Sequence, residues 1–188
     1  MKYLLGFILL FISGCDIFDT RDAETPEQGR ANFQTAFNPE DVINNLINSL
    51  KDRNLENYLA CFSDSSYTSK IFIFDFAPGT AFVFETTWTK KQEEQYFNNL
   101  KNKIEENQQI TLILNNASFS SPSGDSIFYT ASYVLNVPHI DNNIPKNYEG
   151  ELKFNLIRDD RSIWSIYYWQ DIKTDNKSSW SDLKGWFY

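Results

Sequence analysis

The chain has 188 residues and a net charge of −8. That acidity argues against a nucleic-acid partner and against electrostatic attachment to anionic lipid. Sixteen phenylalanines, ten tyrosines and five tryptophans exclude a disordered or fibrous chain, and two cysteines are too few for a disulfide framework or a cysteine-rich metal site.

Met1-Lys2-Tyr3 is a short positive segment, Leu4 to Ile12 an apolar stretch, and Ser13-Gly14 the small residues a signal peptidase needs. The apolar stretch is too short to persist as a spanning helix. Ile12-Ser13-Gly14-Cys15 resembles the lipobox of bacterial lipoproteins. The resemblance implies cleavage before Cys15, a lipid thioether on its thiol and an acylated (palmitate-bearing) amine. A thiolate is a suitable nucleophile for that bond, and several acyl chains anchor durably where one is marginal. Residues 1–14 are then a signal peptide, and 15–37 a lipidated cysteine with a polar, aperiodic tether. Asp16 resembles an inner-membrane retention signal of enteric bacteria, a rule that does not extend to all bacteria. The expected location is the bacterial cell envelope, on the inner or outer membrane, with the domain in the periplasm or outside. Cys61 then has no partner within the chain and is expected to be a small buried hydrophobe.

Residues 38–188 read as one domain. Asn38-Pro39-Glu40-Asp41 opens a first helix, with Val42, Ile43, Leu46, Ile47 and Leu50 on one face. A short second helix carries Leu55, Tyr58, Leu59 and Phe62. Two strand-like runs follow, Ile71 to Phe76 and Ala81 to Thr86, around a Pro78-Gly79 turn. Thr89-Lys90-Lys91-Gln92 is a capping box for a third helix with Tyr96, Phe97, Leu100 and Ile104 on its stripe. Four long strands are predicted after it, over Ile110 to Phe119, Ser126 to Val137, Tyr148 to Arg158 and Ser162 to Ile172. Ile127, Tyr129, Ala131, Tyr133 and Leu135 share one face, as do Leu152, Phe154 and Leu156, so one side of the sheet is buried. Helices followed by a meander make an α+β domain, and a twisted sheet covering three helices will curl around them.

The helical pair VINNLINSLKDRNLENYLACFSD, the Gly150-Glu151-Leu152-Lys153-Phe154 run and the closing Trp164-Ser165-Ile166 and Trp169-Gln170-Asp171 resemble the SnoaL-like, or nuclear-transport-factor-2-like, fold. Phe-Ile-Phe-Asp-Phe-Ala-Pro, with Trp88, Glu94, Tyr96, Phe97 and Leu100, is similar to a group of bacterial lipoproteins whose tethers share a phrase like Thr20-Arg21-Asp22. The resemblance implies a cone: N-terminal helices packed in a curved, mostly antiparallel sheet, with a pocket at the mouth. Enzymes of that family keep a carboxylate and a tyrosine or histidine there. This chain has one histidine, His139, beside Pro138 in a loop-like stretch, where it is expected to face solvent.

Asp75 and Glu85 lie in apolar runs but out of phase with the aromatics, so they too are expected to face water; Asp171 ends the closing strand. Nucleotide-binding glycine loops, a nucleophile elbow and clustered metal ligands are all missing from the sequence, and no cofactor is expected. Phe74, Phe76, Trp88, Tyr129, Tyr133, Trp164 and Tyr168 are the candidate lining of an aromatic pocket. Four aromatics in the last nine residues should pack across the domain or meet a partner. The expected function is a lipid-anchored envelope module that binds an apolar small molecule or an envelope protein without catalysis. The alternatives are a structural subunit that dimerises through its sheet, and a proton-transfer enzyme using Asp75, Glu85 or Asp171 with a tyrosine.

Overall fold

The computed structural model describes residues 32–84 and 87–188. Cys15 and Glu85 lie outside the described residues.

Helix α1 (Pro39–Asp52) begins where expected: the Asn38 N–H donates to the Asp41 carboxylate at 3.0 Å, and proline fills the first turn, where its missing donor costs nothing. Arg53 ends it in the left-handed conformation, and its guanidinium donates to the carbonyls of Ile104, Glu105 and Glu106. Helix α2 (Leu55–Ala60) is capped by the Asn54 side chain. Cys61 follows, buried and free, with burial pushing its thiol up to about 12. Helix α3 (Lys90–Lys101) carries the Thr89–Gln92 box.

Strand β1 (Ile73–Asp75) pairs parallel with β5 (Trp164–Lys173). β2 (Thr111–Phe119), β3 (Ser126–Asn136), β4 (Asn147–Arg158) and β5 then form an antiparallel meander, giving the order β1-β5-β4-β3-β2. Irregularities at Asn115/Ser118 and Asn155/Leu156 interrupt the ladders, with Asn116 at positive φ; such bulges bend strands and help the sheet curve. The inward rows of β3 and β4 are those expected, with Tyr129, Tyr133, Leu152, Phe154 and Leu156 buried.

The second apolar run differs from the sequence expectation. Residues 81–84 form no strand. The Thr80 hydroxyl and Ala81 N–H donate to Asp182, and the free edge of β1 is bonded by Trp88 instead, Phe74 N–H reaching the Trp88 carbonyl at 3.0 Å. Phe82 and Phe84 are held by ring contacts rather than a backbone ladder.

The aromatic tail forms a fourth helix, α4 (Trp180–Phe187), opened by a Ser179–Asp182 capping box. It packs into the domain: Trp180, Leu183, Lys184 and Phe187 are all buried. Two glycines allow this closeness. At Gly150 a Cβ would come within 2.7 Å of the Ile172 carbonyl and 2.8 Å of the Tyr133 hydroxyl, and at Gly185 within 2.2 Å of the Phe82 ring.

Candidate functional site: the interior of the cone

An acid and a base meet at the centre. Glu93 lies on the stripe 93, 96, 97, 100 of α3, and Lys184 on the stripe 180, 183, 184, 187 of α4. Both stripes point inward, and both side chains are fully buried. The Lys184 ammonium donates to Glu93 Oε1. The Tyr58 hydroxyl donates to the same oxygen at 2.5 Å, and Trp88 Nε1 to the other at 2.5 Å. The ammonium also faces the rings of Phe74, Tyr96, Trp169 and Trp88, with centroids at 4.3, 4.5, 4.6 and 5.4 Å. Aromatic faces and a carboxylate together replace water around a buried cation.

Burial brings Lys184 down to about 8 although Glu93 pulls the other way. Tyr58 is held well above its ordinary value by burial and then by Glu93, and Tyr96 in the same way.

A second network ties α4 to the sheet. Asp171, fully buried, accepts from the Tyr133 hydroxyl at 2.7 Å and from the Ser181 N–H and hydroxyl at 2.7 and 2.6 Å. Tyr133 in turn accepts from the Trp180 N–H at 2.7 Å, and burial, then Asp171, raises its pKa. At the rim, Asp182 accepts from Lys173, Thr80 and Ala81.

The expected pocket residues separate into groups. Phe74, Trp88 and Tyr133 stand around α4. Phe76 is half-buried and stacked on Phe84 at 3.6 Å, and Tyr129 lies in the core against Phe119 and Phe154. Trp164 and Tyr168 are elsewhere: Trp164 lies opposite Arg158 at the start of β5, and the Tyr168 hydroxyl donates to Asp75 at 2.6 Å on the sheet's other face. Asp75 is therefore half-buried and bonded rather than free in water. His139 also differs from expectation. It is fully buried, its Nε2 lies 3.0 Å from the Pro145 carbonyl, and its ring meets Phe187, because α4 covers the loop that holds it.

The geometry of helices held in a five-stranded curved sheet matches solved structures. The fold is nuclear-transport-factor-2-like. A candidate aromatic-ring hydroxylase from Novosphingobium aromaticivorans superposes with a TM-score of 0.57 at 12% identity, covering 86% of this chain and 99% of the other. A candidate dehydratase of the nuclear-transport-factor-2-like family from Streptomyces avermitilis gives 0.53 at 8% identity, over 71% and 91% of the two chains. A nuclear-transport-factor-2-like protein of unknown function in nutrient uptake from Rhodospirillum rubrum gives 0.52 at 11% identity, over 73% and 99%. No family model matches the sequence, and no curated protein matches it.

In this nuclear-transport-factor-2-like domain the interior is occupied by its own α4. Both Glu93 oxygens are already engaged, by three donors between them, and an amine with no exposed surface meets no substrate. Clefts lie outside instead. Two adjoining ones, about 280 and 360 Å³, share Asp64 and Lys90, and a third, about 310 Å³, runs over Thr130, Ser132, Glu151, Lys153 and Ile172 on the outer sheet face. Among the described residues, no group of three or more His, Cys, Asp or Glu could hold a metal ion, and no helix is long and apolar enough to cross a membrane.

The buried pair has a pH signature. Lys184 sits near 8 in the fold and an ordinary lysine near about 10.4, so from about pH 8 to about pH 10 the unfolded chain binds the extra proton and Lys184 makes stability rise with pH. Cys61 opposes this in part, because it keeps a thiol proton that the unfolded chain loses above about pH 8.5. Above about pH 10 the sign reverses, because Tyr58, Tyr96 and Tyr133 keep phenolic protons that the unfolded chain loses. Urea midpoints are expected to be higher at about pH 9.5 than at about pH 7.5, with a smaller rise in Lys184→Met.

Proposed function

We propose that the protein is a lipid-anchored, non-catalytic binding module of the bacterial cell envelope that engages an envelope protein through its outer surface. The observation that supports this reading is the filled cone: α4 places Trp180, Lys184 and Phe187 inside, and Glu93 and Asp171 are fully engaged there. A small apolar ligand in the interior would have to displace that helix. The contacts left to the domain are exterior ones. Structural membership of an envelope assembly is the second reading, favoured by the register partners Ile113 and Val134, both exposed on the outer face.

Two measurements test the proposal. Cys15→Ala should abolish incorporation of labelled palmitate and release the chain from the membrane fraction. A photo-crosslinking residue at Val134, used in the living host, should trap a discrete heterologous envelope protein. Self-crosslinks alone would favour the assembly reading. A small-molecule adduct retained in native mass spectrometry of the mature chain would contradict the filled cone.

A further inference from the structure

The segment Ala77 to Phe84 contains no charged residue. Val83 at its tip is 92% exposed, and Trp186 and Tyr188 at the end of α4 are 45% and 47% exposed. The aromatic rings of the two segments form one continuous cluster, with Val83 projecting beside them into solvent. Phe82 meets Trp186 at 5.1 Å and Phe84 at 6.5 Å, Phe84 meets Trp88 at 5.5 Å, and Tyr188 meets Trp88 at 4.8 Å. An exposed apolar cluster on an acidic domain calls for an apolar partner.

We propose that the Val83 tip, flanked by Phe82, Trp186 and Tyr188, seats in the interfacial layer of the membrane that carries the lipidated Cys15; this rests on the anchored-module reading above. Three observations favour a bilayer over a second copy of the chain. The cluster is small, whereas a stable protein interface needs about 20–30 residues a side. It presents tryptophan and tyrosine, whose apolar bodies and polar edges suit the headgroup boundary, and residues 77–84 themselves carry no charge. Cys15 lies seventeen positions before Asn32, so the anchor holds the domain within about 60 Å of the bilayer at full extension. A weakly binding tip is then held at high effective concentration.

The test is tryptophan quenching of the mature lipoprotein in neutral phosphatidylcholine vesicles with brominated acyl chains. The wild type should be quenched relative to unbrominated vesicles, Trp186→Phe should lose the quenching, and Val83→Asp should reduce it severalfold. Val83 is exposed, so that substitution leaves the core intact. Equal emission in both vesicle types would overturn the proposal, as would efficient dimer formation through a disulfide at Val83→Cys. If Cys15 carries no lipid, the anchored reading falls, and the same quenching run with the chain mixed at high lipid concentration still decides the tip.

Discussion

Lys184→Met is expected to lower the unfolding free energy by about 3–5 kcal/mol, because it leaves a fully buried carboxylate without its cation. The Tyr58 and Trp88 donors remain but carry no charge. Glu93→Leu should be as costly from the other side, stranding an ammonium among four rings. The double variant should lose less than the sum, since replacing both ions by apolar groups removes both desolvation costs; a coupling of about 1–3 kcal/mol is expected. Urea titrations of the four chains at neutral pH measure it. Simple additivity would mean that the pair is not a closed unit.

Trp180→Ala is the second large effect. Trp180 has no exposed surface. Its ring meets Trp169 edge-on at 4.5 Å and Tyr133 at 5.4 Å, and its indole N–H donates to the Tyr96 hydroxyl at 3.3 Å. Truncation of such a residue costs about 3–5 kcal/mol. Trp186→Ala, on the exposed side of the same helix, should cost less than about 1 kcal/mol. If α4 were an accessory laid on a finished core, the two substitutions would cost the same. A large difference in denaturation midpoint marks Trp180 as part of the core.

Much of the fold is legible in the sequence because its signals are local. Pro39 and the acids after it start α1, Thr89 and Gln92 start α3, and strict alternation sets the inward rows of β3 and β4. Residues 81–84 of the second apolar run are misread because Phe82 and Phe84 have strand-like composition, while the Ala81 N–H and the Thr80 hydroxyl are taken by Asp182, a residue about a hundred positions away. His139 is misread for a related reason: the ring that covers it, Phe187, arrives with α4.

The centre of the cone was within reach of the same pattern reasoning. Glu93 sits in phase with Tyr96, Phe97 and Leu100, and Lys184 in phase with Trp180, Leu183 and Phe187. One acid and one base, each on the apolar stripe of a different helix, are a signal of a buried pair. Which of the aromatics surround a cavity and which fill the core depends on where the last helix goes, and no local spacing encodes that.

Hydrogen exchange of the Leu183–Phe187 amides, followed peptide by peptide alongside β4, tests most directly whether α4 is a lock. Their donors are satisfied within α4, as in Leu183 N–H to the Ser179 carbonyl at 3.1 Å, and the helix is held through Asp171, Tyr133 and Glu93. These amides should exchange as slowly as β4 and only with global unfolding. Early exchange of α4 while β3, β4 and β5 stay protected would contradict the filled cone. It would make the helix a lid over a pocket lined by Glu93 and Asp171.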